Sequence, residues 1–556
     1  MCGPPRALNC GKSHPIELTI KSGSIRGEYL TIGANDFAVF KGIPYAAPPV
    51  GQTLRFQTQF SPMCAQFPRT RPTDPQHLYK THISEDCLYL NVFAPPPFAN
   101  DSYPVIVWLH GGSFQSGSAS DFPQEAILNN FVSRKVVFIT LNYRLGPMGF
   151  LSTGDEVMSG NVGLWDQIQA LRWVQENAPV FVMLMGHGAG ASCASILALS
   201  PRAEGLFHKV VLMSGTAISP GAVRETAYNA TWALDQKLHC RSFNSTELLD
   251  CFKKQLKDEI LDVTRTHYDD YEEFVPTVDG SGGIIPEPPE VLLTYRPKIP
   301  LMIGTTRDES ALRLLLLDEK ELAENLTQSY TGFINHPLIA EGCKHEYIWR
   351  KVNPSADPHI LFESVLNMYS HFWFDAPASR LATAYSEQMP VFLYSFDHVS
   401  ENFETDRAFH GVDEVFLFEK EPRFLETRKD KELAAGPETD LIVNFLKHGH
   451  PTPEGAGFPF VWNSTRMEIL DYLSITDVPE MKVGFRWDGH VFWNMYARHL
   501  DAVDVGNLQR IAQLDKQLGD YQLATWMLLF CALFFFAILV GLACYCTRKE
   551  SDDDDL

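Results

Sequence analysis

The sequence predicts an α/β fold in which a mostly parallel central sheet carries helices on both faces, with one transmembrane helix near the C-terminus. Apolar runs of strand length recur along the chain, and helical segments separate them. Residues 524–546 form one uninterrupted run without a charge. A chain of 556 residues with 45% apolar content is long enough to bury a large core around such a sheet.

Strands at the centre of a parallel sheet are apolar throughout, because both of their faces are buried. Residues 166–177, DQIQALRWVQEN, have the length and pattern of a helix between two such strands. Ligands of this fold class bind beyond the carboxyl ends of the strands, where HGGS (110–113) and GHGAG (186–190) fall. The predicted strands are VIVWLH (105–110), VVFITLNYR (136–144), VFVMLM (180–185), KVVLMSG (209–215) and PVFLYSF (390–396).

The apolar run 524–546 is predicted to cross a membrane once. As a helix rising about 1.5 Å per residue, it spans the roughly 30 Å hydrocarbon core of a bilayer. Arg548 and Lys549 follow it, and basic residues mark the cytoplasmic side of such a helix. We therefore expect a type I protein of the plasma membrane, with residues 547–556 as a short acidic cytoplasmic tail.

Residues 1–22 contain no apolar stretch of the kind that a secretory signal peptide needs. Three interpretations follow: a missing first exon, a tail-anchored protein with a cytosolic domain, or export through an internal signal. Cysteine spacing favours an extracellular domain. Cys64 with Cys87, and Cys240 with Cys251, each bracket a short loop that suits a local disulfide in an oxidising compartment.

The glycosylation sequons bear on the location of the domain, and the net charge bears on its binding partners. Five N-x-S/T sequons give mild support to an extracellular domain. The formal net charge of −22, from 68 acidic and 46 basic side chains, repels polyphosphate and argues against nucleic acid as a partner. No metal or cofactor is expected. The sequons lie at Asn100, Asn229, Asn244, Asn325 and Asn463.

Six motifs resemble the type-B carboxylesterases and cholinesterases over nearly the whole chain. The resemblance implies an α/β-hydrolase fold in one large domain, 23–500. It also implies that the two cysteine pairs correspond to two disulfides of the family. We expect residues 501–523, which lead into the membrane run, to form a juxtamembrane helical stalk. The motifs are FKGIPYAAPPVGQTLRF (40–56), EDCLYLNVFAP (85–95), WLHGGSFQSGSAS (108–120), LNYRLGPMGFLS (141–152), GNVGLWDQIQALRWVQEN (160–177) and FVPTVDG (274–280).

The catalytic parts of such an enzyme are present in this chain, except for the nucleophile. A serine esterase needs a serine on a strained strand-to-helix turn, a histidine base and a carboxylate that orients the histidine. GTTRDES (304–310) resembles the family motif of the acid, which implies Glu309. AFHGVDEVFLF (408–418) resembles the motif of the base, which implies His410. The nucleophile position in the GHGAG elbow maps to Gly188.

Two further features bear on this site. Gly111, Gly112 and the N–H of Ala189 match the oxyanion-hole donors of the family. Between Asn177 and the elbow only APVFVMLM intervenes, which is shorter than the usual link in the family. We expect the short link to shift the strand register, so that a hydroxyl introduced on the elbow would be misplaced relative to the acid and the base.

The missing serine predicts an inactive homologue. A cholinesterase-like domain without the nucleophile, one transmembrane helix and a short tail together resemble the non-catalytic adhesion members of the family, the neuroligins and gliotactin. This resemblance implies an extracellular protein partner. Two alternatives stay open: a residual or unconventional ester hydrolase, and a receptor that binds a small molecule in the old gorge without cleaving it.

Two segments near the C-terminus suggest further contacts. Residues 505–518, VGNLQRIAQLDKQL, place apolar side chains every three or four positions. That stripe can form a homodimer interface or pack on its own domain. The chain ends in DDDL, so that Leu556 carries a free carboxylate in the form that a PDZ groove captures. The alternative is a solvated acidic tail without a partner.

Overall fold

The chain divides into two compact units, one of residues 1–332 and 340–496 and the other of residues 333–339 and 497–556. All candidate site residues belong to the first unit. A computed structural model describes residues 14–21, 23–33, 35–47, 59–66, 83–96, 102–178, 181–225, 227–264, 274–314, 336–350, 358–403, 405–421, 425–434, 436–503, 522, 525–530, 533–535, 538 and 540.

The described residues include fourteen strands, and every strand predicted from the sequence is among them. Their bounds are His14–Ile20 (β1), Gly23–Ile32 (β2), Asn35–Pro44 (β3), Met63–Cys64 (β4), Ile83–Ser84 (β5), Tyr89–Ala94 (β6), Val105–Leu109 (β7), Val137–Leu141 (β8), Val182–His187 (β9), Lys209–Met213 (β10), Leu301–Thr306 (β11), Val391–Phe396 (β12), Tyr472–Ile475 (β13) and Glu480–Lys482 (β14).

Twelve of these strands form one sheet in the order β1-β2-β3-β6-β8-β7-β9-β10-β11-β12-β13-β14. From β8 to β13 every neighbouring pair is parallel, and the pairs at the two ends of the sheet are antiparallel. The prediction of a mostly parallel central sheet is confirmed. The sheet begins with β1, which lies inside the N-terminal segment 1–22.

Helices follow most of the central strands. The α-helices are Gln124–Asn130 (α1), Gly146–Phe150 (α2), Val162–Asn177 (α3), Ala189–Leu199 (α4), Tyr228–Lys237 (α5), Ser245–Phe252 (α6), Lys257–Thr264 (α7), Pro289–Tyr295 (α8), Ala311–Leu314 (α9), His336–Cys343 (α10), Pro358–Ser370 (α11), Ala376–Ser386 (α12), Val412–Phe418 (α13), Arg428–Ala434 (α14), Pro437–His448 (α15), Trp487–Val491 (α16) and Ala497–Asp501 (α17).

The sheet separates two apolar cores because successive strand residues point to opposite faces. Along β7, Val105, Val107 and Leu109 belong to one core, whereas Ile106 and Trp108 belong to the other. Helices α3 and α4 cover the first core, and α1, α13 and α15 cover the second. All five β7 side chains are fully buried. Burying an aliphatic side chain of this size contributes roughly 1.5–3 kcal/mol.

The short link before the elbow does not displace the strand. Helix α3 ends at Asn177 and β9 begins at Val182. Strand β9 pairs in parallel with β7, Val105 opposite Val182, and also with β10. Because β9 is held between two neighbours, its register is set by the sheet rather than by the link. The expected shift of the elbow strand was therefore wrong.

Two disulfides join cysteines of the first unit. Cys64 is bonded to Cys87, and Cys240 is bonded to Cys251, with Cα atoms 4.9 and 6.0 Å apart. Both pairings predicted from spacing and family resemblance are confirmed. The Asn side chains of three sequons, at Asn229, Asn244 and Asn463, are exposed. Asn100 and Asn325 lie outside the described residues.

The C-terminal segments are described only in part. Among the described residues, no helix is both long enough and apolar enough to cross a membrane. Of the run 524–546, residues 525–530, 533–535, 538 and 540 are described, and all of them are helical. Both the stripe 505–518 and the tail that ends at Leu556 lie outside the described residues.

Candidate functional site

The elbow is the turn from β9 into α4, and Gly188 stands at its apex. Gly188 has φ 55° and ψ −121°, a backbone conformation that side-chain-bearing residues rarely adopt. Its N–H donates to Met213 O at 2.8 Å, and its carbonyl accepts from Ser192 N at 3.0 Å. A Cβ at Gly190 would lie 2.1 Å from Leu109 O, so this position requires glycine for close helix packing. The turn has the geometry of a nucleophile elbow and carries no side chain at its apex.

The predicted acid and base meet directly. Glu309 Oε2 lies 2.6 Å from His410 Nδ1, although the two residues are 101 positions apart in the chain. The other oxygen of the carboxylate, Oε1, accepts hydrogen bonds from Ser214 Oγ at 2.5 Å and from Thr306 N at 2.8 Å. Glu309 is 1% exposed and holds three hydrogen bonds. Ser214 was not predicted as a site residue; it follows β10 and reaches this site only through the order of the strands in the sheet.

Glu309 and His410 each stabilise the charged form of the other. Burial opposes ionisation of Glu309, but the charge of His410 and the hydrogen bonds from His410, Ser214 and Thr306 outweigh it, so the pKa of Glu309 is lowered. Burial likewise opposes the charged form of His410, but Glu309 outweighs that effect and the pKa of His410 is raised. The pair therefore favours a carboxylate beside an imidazolium. In its neutral form such a histidine is oriented by the carboxylate as a general base would be, and the carboxylate stabilises the imidazolium that forms when it takes up a proton.

His410 reaches the apex of the elbow. A Cβ built on Gly188 would lie 3.1 Å from His410 Nε2 and 3.6 Å from Cε1. A side chain at this position would face the imidazole directly, which contradicts the expectation that a hydroxyl on the elbow would be misplaced. The separation is shorter than ordinary van der Waals contact, so the imidazole occupies part of the space that a side chain would need.

The predicted oxyanion-hole donors belong to the two segments next to the apex, the turn after β7 and the start of α4. Gly111 and Gly112 follow β7, which is the sheet neighbour of β9. A Cβ at Gly111 would lie 2.7 Å from His187 O, so the backbone approaches the elbow closely. Ala189 is the first residue of α4, and its N–H has no intrahelical acceptor. Among the described residues, no backbone hydrogen bond is donated by the N–H of Gly111, Gly112 or Ala189.

A second titratable pair lies behind the apex and was not foreseen from the sequence. The ring centroid of His187 is 4.6 Å from that of His410, and His187 Nε2 is 3.7 Å from Asp413 Oδ1. Both side chains are almost wholly buried. Burial, and then the charge of His410, lower the pKa of His187 to about 4. Burial, and then the charge of Glu309, raise the pKa of Asp413 to about 7. The sequence feature that could have pointed to this pair is the position of Asp413, three residues after the predicted base His410.

Comparison with known proteins places these motifs in a family. The profile of the carboxylesterase family matches residues 14–493. Pyrethroid hydrolase Ces2a of Mus musculus is 30% identical over 79% of this chain and 85% of its own length. Cocaine esterase of Oryctolagus cuniculus is 30% identical over 79% of this chain and 89% of its own length. Neuroligin-2 of Mus musculus is 30% identical over 83% of this chain, which spans 65% of that protein. The chain belongs to the carboxylesterase family.

Proposed function

We propose that this chain is a single-pass membrane pseudoenzyme that binds an extracellular protein partner through its hydrolase domain. The observation that carries the proposal is the glycine at position 188. An intact acid–base pair faces an elbow apex without a hydroxyl, so no acyl-enzyme can form there. In a triad enzyme, loss of the serine alone lowers turnover by about a millionfold.

The presence of Glu309 and His410 in a chain without the nucleophile has an explanation that does not involve catalysis. Glu309 is fully buried, and its charge is balanced by His410. Removing one partner of a buried ion pair leaves an uncompensated charge in the interior, which is strongly destabilising. Folding therefore retains this pair even when turnover is no longer selected.

Membrane anchoring and adhesion rest on two observations. The uncharged run 524–546 is long enough to span a bilayer. Neuroligin-2 is as similar to this chain as the two ester hydrolases are. We accordingly assign residues 23–500 to an extracellular domain at the plasma membrane, 501–523 to the stalk and 547–556 to the cytoplasmic tail. A homodimer formed through the stalk and a PDZ partner at Leu556 complete the proposal.

The experiment that tests the proposal measures binding and turnover on the same molecules. Cells displaying the full-length protein are cross-linked to neighbouring cells, and captured partners are compared for the parent and for His410→Ala. We expect hydrolysis of short acyl esters to be equal for both forms. The same extracellular protein should be recovered with both. Failure to recover an extracellular protein with the parent would contradict the binding function.

A residual ester hydrolase is the second candidate, and one observation favours it. His410 Nε2 faces the apex, and the N–H groups of Gly111, Gly112 and Ala189, which donate no backbone hydrogen bond within the described part of the chain, could stabilise an oxyanion. A water molecule at the apex could be activated by the same base. Hydrolysis by the parent that falls clearly in His410→Ala would establish this candidate and contradict the first.

Two short tests address the C-terminal contacts. Adding one residue after Leu556 should abolish a PDZ interaction, because the groove binds the terminal carboxylate. A pull-down that still succeeds after the addition would contradict the PDZ interaction and support a solvated tail without a partner.

Mass measurement of the detergent-solubilised full-length chain should give a dimer, and a monomer at micromolar concentration would contradict the stalk interface.

A further inference from the structure

An acidic side chain lies in the core on the α15 side of the sheet. Glu438 is in the first turn of α15 and is only 6% exposed. Burial and the neighbouring carboxyl of Asp413 both disfavour its charge, and they raise the pKa of Glu438 well above the ordinary value. Neither a cation nor a hydrogen-bond donor among the described residues offsets these two effects. A carboxylate in such surroundings would be strongly disfavoured.

Glu438 lines a small internal cavity. The cavity measures about 10 Å³, which is close to the smallest volume that holds one water molecule. Two other polar groups line it, the Tyr394 hydroxyl and the Trp462 indole, and their rings meet edge to face with centroids 6.4 Å apart. Six apolar side chains supply the remaining walls: Val211, Met213, Met302, Leu441, Ile442 and Ile475.

Two buried polar atoms of this cavity, Tyr394 Oη and Trp462 Nε1, have no partner at ordinary hydrogen-bonding distance among the described residues. The carboxyl of Asp413 is the group towards which the Tyr394 hydroxyl can donate. Leaving a buried donor without a hydrogen bond is unfavourable, because the group loses the water that bound it in the unfolded chain. A water molecule with two to four polar partners removes that cost, whereas a cavity with only apolar walls stays dry. This cavity is large enough for one water molecule and is lined by three polar side chains, so it can hold a hydrogen-bonded water.

We propose that this cavity holds one water molecule, which accepts a hydrogen bond from Trp462 Nε1 and joins the Tyr394 hydroxyl to Glu438 in its neutral, protonated form. The water accepts hydrogen bonds from Trp462 Nε1 and from the O–H of the neutral acid and donates to the Tyr394 oxygen, while the Tyr394 O–H is left to donate towards the carboxyl of Asp413. The site is independent of the missing nucleophile and of any extracellular partner.

Other titratable groups lie next to this site. Asp413, on α13, affects both Glu438 and Tyr394 electrostatically, and Glu309 also affects Tyr394. Asp413 in turn faces His187 at 3.7 Å. Neutral Glu438 avoids placing a second negative charge beside these carboxyl groups, which explains how the interior tolerates it.

Two measurements on the full-length protein test the proposal. A structure at a resolution that shows ordered water should contain one water within hydrogen-bonding distance of Tyr394 Oη, Trp462 Nε1 and Glu438. An empty cavity would overturn the hydrated site. Infrared spectra of protein with isotope-labelled glutamate, recorded near neutral pH, should contain a protonated glutamic acid band that disappears in Glu438→Gln and persists in Glu454→Gln, a variant of an exposed glutamate. An unchanged band in Glu438→Gln would overturn the neutral acid.

Unfolding supplies a third readout that does not require a crystal. Because the pKa of Glu438 is raised in the folded state, its contribution to stability is complete below the unfolded pKa of about 4.3 and is lost as the pH rises. Glu438→Gln, which keeps the shape without titrating, should therefore gain thermal stability relative to the parent as the pH increases. Equal pH dependence in the two forms would contradict a buried neutral acid.

Discussion

His410 Nε2 lies 3.1 Å from the point that a Cβ on Gly188 would occupy. The imidazole thus enters the space of the missing side chain while its Nδ1 stays bonded to Glu309. Any side chain at position 188 must push the ring back by a few tenths of an ångström. The two residues are therefore coupled, and the coupling can be measured by mutation.

Gly188→Ala should destabilise the protein more than Gly205→Ala does. Both glycines have positive φ, 55° and 78°, but a Cβ at Gly205 meets no atom within 4 Å. A strained backbone of this kind costs about 1–3 kcal/mol, and only Gly188→Ala adds the contact with His410. Urea unfolding measures the difference. In a His410→Ala background the excess should vanish, and a full excess there would contradict the contact.

The sequence predicted most of the central sheet because its strands are buried on both faces and read as apolar runs, as VIVWL of β7 does. It also supplied Glu309 and His410 through motif resemblance. It could not supply Ser214, His187 or Asp413 as members of the site, since their proximity depends on strand order and on packing of α13. The link before β9 misled the prediction because a short loop does not move a strand that is paired on both sides.

Asp413→Asn and His187→Gln should change the pH dependence of stability in opposite directions. Asp413 has a pKa raised to about 7, so its contribution is complete below its unfolded pKa of about 3.9 and is lost as the pH rises to 7. His187 has a pKa lowered to about 4, so its contribution is complete above about 6.5 and is lost as the pH falls to 4.

Unfolding free energies between about pH 4 and pH 7 measure both effects, each worth up to roughly 1.4 kcal/mol for each pH unit crossed. The Asp413→Asn variant should gain stability relative to the parent as the pH rises. The His187→Gln variant should gain stability relative to the parent as the pH falls. Changes of the same sign in both variants would show that the two groups do not titrate as a coupled buried pair.

His410→Ala should destabilise the parent more than it destabilises a Glu309→Gln variant. Without the imidazole, a wholly buried carboxylate loses its balancing charge, whereas a neutral glutamine loses only a hydrogen bond. His410 is 35% exposed, so solvent screening reduces the loss below the roughly 3–5 kcal/mol typical of fully buried pairs. Chemical unfolding of the four forms gives the coupling, and additive losses would contradict an ion pair that stabilises the fold.

Glycan removal should lower the apparent mass of the full-length protein. The sequon side chains of Asn229, Asn244 and Asn463 are exposed, as an acceptor must be. Each Asn→Gln change should remove one step of the mass shift on electrophoresis. A protein whose mass does not change after glycosidase treatment would contradict the extracellular placement of residues 23–500.

Fluorophosphonate labelling tests the central claim most directly, because the reagent bonds covalently only to an activated nucleophile such as the serine of a triad. The full-length parent should remain unlabelled, since position 188 has no hydroxyl. Gly188→Ser should be labelled, because its hydroxyl would face His410, and Gly188→Ser combined with His410→Gln should lose that labelling. Covalent labelling of the parent that depends on His410 would contradict the account and show that this chain is an active hydrolase.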